Sequence, residues 1–247
     1  MISNESPKHV SDCYASLECW SARRTNDIAS KVIPDQNIQA ILARNNALFN
    51  CLYFMESKLN VEFQDFDILD VGSASGYGLV PFLLAGFSLG NLHGIDLFEE
   101  RIALGKKKIP GIKLHVGDAT EMQQFSNGSF DMTMEQFCFC HIESDDTIRK
   151  IAKQMLRVTK VDGYILVLDW IVGSKKAHYN AINRKKIKSM FGVGSDTEIV
   201  RVYNAQLAPQ VGRFISKNIP YLYPIFAKIF PFLVLSKLTL LRRKKYL

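Results

Sequence analysis

The chain has 247 residues, of which 47% are hydrophobic and 22% are charged. This length and composition are typical of one folded domain with an appendage, and they exclude an intrinsically disordered chain. The five cysteines are an odd number without the spacing of a disulfide framework, and the first residues lack the pattern of a secretory signal. We therefore expect free thiols and a cytoplasmic location.

The net charge of +7 is concentrated at the C-terminal end. Glu198 is the last acidic residue, and nine lysines and arginines follow it, so residues 1–198 carry a net charge of −2. These positive charges alternate with long aliphatic runs and do not spread over a polar face. Nucleic acid is therefore not the expected partner.

Strands and helices are predicted to alternate between residues 34 and 170. Helical periodicity covers residues 34–59, 79–86, 98–108 and 145–159, and short apolar runs predict strands at 67–72, 91–96, 112–116, 130–134 and 164–169. Such alternation predicts an α/β fold whose parallel sheet is covered by helices on both faces. After Trp170 the alternation ends, and residues 219–241 are apolar and interrupted by prolines.

Polar groups follow three of the predicted strands. The sequence DVGSASGYG at residues 70–78 joins the first strand to its helix, and its glycines allow a ligand to approach the backbone. Asp96 ends the second strand, where a carboxylate can accept hydrogen bonds from both hydroxyls of an adenosine ribose. Asp118 follows the third strand and is placed to accept from an adenine amino group, with the N–H of Ala119 donating to the ring. A single aspartate is more often a helix cap or a turn residue, but the ordered set predicts one adenosyl site.

These segments resemble the class I S-adenosylmethionine-dependent methyltransferases. The similarity covers roughly residues 65–170, and its motifs are residues 68–76, 94–96, 117–119, 129–132 and 156–164. It implies a Rossmann-like, doubly wound, mostly parallel sheet with N-terminal helices, and S-adenosylmethionine as the cofactor. The implied cofactor-binding residues are Asp70, Gly72, Ser73, Ala74, Gly76, Asp96, Leu97, Asp118, Ala119 and Glu135. The family usually has glycine at the position of Ala74, which affects the expected affinity more than the assignment.

A nicotinamide-dependent dehydrogenase is the main competing interpretation. Its loop would be expected to read Gly-x-Gly-x-x-Gly after an apolar lead-in, whereas Asp70 stands just before the first glycine here. The aspartate after the third strand is also not required for a dinucleotide. The methyltransferase interpretation is therefore favoured.

Methyl transfer from a sulfonium depends mainly on alignment, although a hydroxyl acceptor can require a base. The candidate bases are His141, Asp169 and His178, and a structural role beside the cofactor is the alternative for His141. Trp170 either covers the acceptor or packs in the core. Metal is not expected at Cys138, Cys140 and His141, because no second cluster of ligands accompanies them.

The predicted organisation has four segments: an N-terminal helical segment that forms part of the lid (1–64), the cofactor-binding core (65–172), a substrate-side insertion with the final core elements (173–218) and an apolar, basic C-terminal appendage (219–247). The appendage is predicted to be helical and to contact an anionic membrane surface at the inner face of the cell membrane, or else to pack on the core. The layout is similar to bacterial enzymes that methylate cell-surface glycans, which implies O-methylation of a sugar or lipid-linked acceptor. A free small molecule, such as a quinone precursor, and a non-catalytic cofactor-binding protein remain alternatives.

Overall fold

The computed structural model describes residues 38–173 and 180–244. Its centre is a seven-stranded sheet in the order β3-β2-β1-β4-β5-β7-β6, in which β1 to β5 pair in parallel and β7 is antiparallel to both of its neighbours. The strands are β1 (Ile68–Val71), β2 (Leu92–Asp96), β3 (Lys113–Val116), β4 (Phe130–Gln136), β5 (Thr159–Trp170), β6 (Thr197–Leu207) and β7 (Val234–Arg243). The α-helices are α1 (Ile38–Leu59), α2 (Val80–Leu84), α3 (Glu99–Lys108), α4 (Asp145–Val158), α5 (Arg184–Met190), α6 (Pro209–Asn218) and α7 (Tyr223–Ile229).

Two apolar layers cover the faces of the sheet, as the alternating sequence predicts. One layer includes Leu48 and Met55 of α1, and the other includes Ile151 and Met155 of α4. Helix α4 has its apolar residues on one stripe, and the hydroxyl of Ser144 caps it by accepting a hydrogen bond from the N–H of Thr147. The predicted Rossmann-like, mostly parallel α/β fold is confirmed.

The predicted C-terminal appendage is wrong for residues 234–243. These residues form β7, which lies between β5 and β6 and pairs with both of them. The four consecutive residues 238–241 are buried, so both faces of this strand are covered and its sequence is largely apolar. The same run is also typical of an apolar tail, and β7 was therefore not predicted as a strand.

Strand β7 also separates the apolar part of the C-terminal segment from its basic end. Val234 lies near the carboxyl end of β5, whereas Arg242 and Arg243 lie near the start of that strand. Ten strand residues span about 30 Å. Arg242 pairs with Asp162 at 3.2 Å, and Arg243 donates to the Thr159 carbonyl. The predicted membrane surface combines residues 219–235 with the basic run at 242–245, and these two parts lie at opposite ends of β7. Lys245 lies outside the described residues.

No helix within the described ranges is both long enough and apolar enough to cross a membrane.

Candidate active site

A cavity of about 420 Å³ lies at the carboxyl ends of the parallel strands, a volume typical of small-molecule sites. Nine of the predicted site residues line it: Asp70, Gly72, Ser73, Ala74, Asp96, Leu97, Asp118, Ala119 and His141. Gly76, Glu135 and Asp169 are not part of this lining. The structure thus brings the residues after β1, β2 and β3 to one cavity, as expected for parallel strands whose carboxyl ends share an edge.

Every second residue of the loop after β1, from position 72 to position 76, has a left-handed backbone conformation. Gly72, Ala74 and Gly76 have φ values of 73°, 49° and 76°. This left-handed region is readily available only to glycine. A Cβ atom at Gly72 would collide with the side chain of Cys138. Ala74 is therefore a strained residue at the position where the family usually has glycine.

Asp96 holds the glycine loop against the end of β2. Its Oδ2 accepts a hydrogen bond from the N–H of Ala74 at 2.8 Å, and its Oδ1 accepts from the N–H of Phe98 at 3.0 Å. Burial raises the pKa of Asp96, and the two backbone N–H groups oppose that shift. Each carboxylate oxygen can accept a further hydrogen bond, so the group suits a vicinal diol. At the end of β3, Oδ1 of Asp118 accepts from the N–H of Thr120 at 2.7 Å, which sets the turn that lines the cavity.

Two buried polar atoms near the loop fit the amino-acid end of the cofactor. Oδ1 of Asp70 and Oγ of Ser73 have no hydrogen-bond partner among the described residues. Burial raises the pKa of Asp70, the neighbouring Asp96 raises it further, and Arg44 lowers it. A buried carboxylate oxygen without a donor is destabilising unless a ligand supplies one. An ammonium group in the cavity would supply that donor, as the family resemblance implies for the methionine amino group.

The other wall of the cavity is aromatic. The rings of Phe137 and Trp170 are 5.5 Å apart, and both residues line the cavity together with His141. Burial lowers the pKa of His141 to about 4, and the charge of Arg101 adds to this effect, so the imidazole is neutral at pH 7. A neutral imidazole can accept a proton. The other predicted base in this part of the chain, His178, lies outside the described residues.

Glu135 and Asp169 lie behind this wall. Glu135 accepts from the N–H groups of Cys138 and Phe139 at 3.1 and 3.4 Å. Asp169 accepts from the N–H groups of Cys140 and Trp170 at 2.9 and 2.7 Å. Both carboxyl groups are fully buried. These positions differ from the predicted contact of Glu135 with the cofactor and from the predicted catalytic role of Asp169.

Two lining residues had no sequence signal that could identify them. Arg44 comes from α1 and Gln206 from β6, and both are far in sequence from the glycine loop. The amide of Gln206 donates to the Ala40 carbonyl at 3.2 Å, which ties the end of β6 to α1. Within residues 38–173 and 180–244, no group of three or more potential ligands could hold a metal ion.

Comparisons of the structure find the same fold in methyltransferases of low sequence identity. An S-adenosylmethionine-dependent methyltransferase from Methanosarcina mazei is 16% identical, with a TM-score of 0.55 over 76% of this chain and 97% of that chain. The geranyl diphosphate C-methyltransferase of Streptomyces coelicolor is 12% identical, with a TM-score of 0.56 over 80% of this chain and 77% of that chain. The 1,6-didemethyltoxoflavin-N1-methyltransferase of Burkholderia thailandensis is 13% identical, with a TM-score of 0.58 over 99% of this chain and 93% of that chain.

The sequence comparison identifies the domain. A search of curated proteins found no match, but residues 69–167 match the family model described as a methyltransferase domain. That range contains the glycine loop and the acidic residues at the ends of β2 and β3. The chain therefore contains a methyltransferase domain, and its cofactor is S-adenosylmethionine.

Proposed function

We propose that this methyltransferase transfers the methyl group to a sugar oxygen of a lipid-linked precursor of a cell-surface polysaccharide. The reaction would take place at an anionic membrane surface. The observation that supports this proposal is a set of exposed apolar side chains in one segment of the chain. Five large apolar side chains in the segment between β6 and β7 are between 48% and 75% exposed: Phe214, Tyr221, Ile225, Ile229 and Phe232. We call these five residues the apolar rim.

The segment that carries the apolar rim begins and ends at the cavity edge of the sheet. Gln206 lines the cavity, and the next residue, Leu207, pairs with Val234 at the start of β7. The N–H of Ala208 donates to the Leu233 carbonyl at 2.7 Å, which closes the base of the segment. An acceptor headgroup could therefore enter the cavity while its lipid stays near the apolar rim.

The charges of this segment suit an anionic surface. Arg213, Lys217 and Lys228 are exposed, and no acidic residue follows Glu198. Each basic residue close to anionic lipid contributes about 1 kcal/mol, while aromatic and aliphatic side chains enter the headgroup region. These charges replace the more distant basic end of β7 as the electrostatic part of the proposed contact.

The residues of the cavity have complementary roles in this reaction. Bound S-adenosylmethionine supplies an activated methyl group. Asp96 holds the ribose hydroxyls, Asp70 accepts from the ammonium group, and the Phe137–Trp170 wall excludes water from the acceptor. His141 accepts the proton of the acceptor hydroxyl at a nitrogen of its neutral imidazole. Its pKa of about 4 makes it a weak base, but the hydroxyl proton becomes strongly acidic as the oxygen bonds to the methyl carbon and the sulfonium sulfur leaves, so a weak base is sufficient.

Labelled methyl transfer tests the acceptor class. Full-length protein is incubated with methyl-labelled S-adenosylmethionine and cell extract, which is then divided into organic and aqueous phases. We expect the label in the organic phase. Mild acid, which cleaves a glycosyl phosphate, should then release the label into the aqueous phase. Label confined to free water-soluble molecules would favour the small-molecule alternative, and label in an acid-stable apolar product would favour a quinone precursor. Cofactor binding without transfer would favour the non-catalytic alternative.

Flotation with vesicles tests the membrane contact. Deleting residues 219–247 would remove β7 from the sheet, so point substitutions are the better perturbation. The double substitution Ile229→Ser and Phe232→Ser should reduce binding to phosphatidylglycerol vesicles. Leu84→Ser is the matched control, because Leu84 is 74% exposed on α2, outside the apolar rim. Equal flotation of the double variant and the control would contradict the proposed contact.

A further inference from the structure

We infer that Glu135 and Asp169 are positioning residues that hold the Phe137–Trp170 wall of the cavity in place from behind. The inference concerns the cofactor cavity and does not depend on which acceptor the enzyme methylates. It assigns to these two carboxyl groups a role that differs from cofactor contact and from acid–base catalysis.

The two residues lie near the carboxyl ends of the neighbouring strands β4 and β5. Glu135 of β4 pairs with Val167 of β5, and Gln136 pairs with Leu168, so Asp169 is the next residue beyond the paired ends. The turn that follows β4 contributes Phe137, Cys138 and His141 to the cavity, and β5 contributes Trp170. The carboxyl groups therefore lie where the chain leaves both strands to form the wall.

The turn after β4 needs such support because its first residue is strained. Phe137 has a φ of 55°, a left-handed conformation that is unfavourable for a bulky aromatic residue. A conformation of this kind persists only when surrounding contacts hold it. The N–H of Phe137 donates to the Leu168 carbonyl at 2.9 Å, and the next three N–H groups donate to Glu135 or Asp169.

The hydrogen bonds favour a neutral carboxyl group at Glu135 and an ionised one at Asp169. Glu135 accepts both of its hydrogen bonds at Oε2, and its Oε1 has no partner in the part of the chain that the structure describes. Asp169 accepts at both oxygens. A proton is therefore accommodated at Oε1 of Glu135 without displacing an N–H donor, whereas Asp169 is suited to the ionised state.

The surrounding charges agree with this division. Burial and the negative charge of Asp169 raise the pKa of Glu135 well above its usual value, with a smaller contribution from Asp70. Burial raises the pKa of Asp169 to about 7, while hydrogen bonds from Cys140 and Trp170 and the charge of Lys186 oppose the shift. Glu135 is thus the group that carries the proton.

The division predicts opposite responses to two isosteric substitutions. In Glu135→Gln the amide oxygen can accept both N–H groups, and the NH₂ group replaces the protonated oxygen. In Asp169→Asn only one oxygen remains, so the NH₂ group must face the N–H of Cys140 or of Trp170. One wall contact is lost in either orientation, and the wall should loosen.

The experiment uses S-adenosylhomocysteine as the probe with the full-length protein. Calorimetry measures its affinity, hydrogen exchange measures amide protection at residues 137–141, and thermal unfolding measures stability. Asp169→Asn should weaken binding by about tenfold or more and speed exchange in the wall. The affinity of Glu135→Gln should stay within about threefold of that of the parent protein. Glu135→Leu removes both acceptor oxygens, so its affinity and its exchange at residues 137–141 should change as they do in Asp169→Asn.

Thr133→Val is the control for a general loss of stability. The hydroxyls of Thr133 and Thr159 share a buried hydrogen bond of 2.8 Å between β4 and β5, and neither residue lines the cavity. This variant should lower the melting temperature without changing binding or exchange at residues 137–141. If Asp169→Asn changes only the melting temperature, or if Glu135→Gln is as damaging as Glu135→Leu, the inference is overturned. Should Asp169→Asn fail to fold, the comparison between the two Glu135 variants still decides it.

Discussion

The contribution of Asp96 to cofactor binding can be measured with two substitutions. In the structure its carboxylate accepts from the N–H groups of Ala74 and Phe98 and lines the cavity, and each oxygen has a further lone pair that could accept from a ribose hydroxyl. Asp96→Ala removes all of these acceptors. Loss of the charged hydrogen bonds to the ribose should weaken binding by about 1–3 kcal/mol, which is roughly 5- to 150-fold in affinity.

The same substitution should also destabilise the protein in the absence of the cofactor. The N–H groups of Ala74 and Phe98 would lose their partners, at a cost of about 1–3 kcal/mol for each one that water cannot reach. Asp96→Asn keeps one acceptor for these donors, so its loss of stability should be about half as large. The two variants therefore separate a folding defect from a binding defect.

Isothermal titration with S-adenosylhomocysteine and urea unfolding provide the two measurements. Unchanged affinity in Asp96→Ala, with a lower free energy of unfolding, would refute the assignment of Asp96 to the ribose and leave it only a role in the loop. Unchanged stability would refute the importance of the two backbone contacts.

Three further predictions concern the loop and the buried histidines. Ala74→Gly should raise the melting temperature, because glycine adopts the φ of 49° with less strain, a gain of about 1 kcal/mol that its larger unfolded-state entropy partly offsets. Gly78→Ala should weaken S-adenosylhomocysteine binding in calorimetry, because the new Cβ atom would lie 2.8 Å from Oδ2 of Asp70. Folding lowers the pKa values of His93 and His141 to about 4, so the unfolded chain binds protons first and stability should fall as the pH drops from about 6.5 towards 4. Urea unfolding of His93→Asn should show a shallower decline over that interval, and an unchanged decline would contradict the shift.

The local pattern was sufficient to predict the cofactor half of the molecule. Asp70, Asp96 and Asp118 each follow an apolar run that is long enough for one buried strand, and a glycine loop follows the first of them. Parallel strands joined by helices must present their carboxyl ends at one edge, so the convergence of these residues follows from their spacing. The local sequence around each of these aspartates is therefore enough to predict that they meet at one site.

The tertiary structure decided what the local pattern left ambiguous. An apolar run such as residues 234–241 is compatible with a tail or with a central strand, and only the pairing with β5 and β6 distinguishes them. Arg44 and Gln206 reach the cavity through the packing of α1 and β6, which no local signal encodes. The positions of Glu135 and Asp169 behind the wall likewise depend on the turn after β4, whose N–H groups draw both carboxylates away from the cavity. The hydrogen bond from the N–H of Cys140 to Asp169 joins residues that are 29 apart in sequence, so it forms only in the folded chain, and it keeps this carboxylate from meeting the ligand.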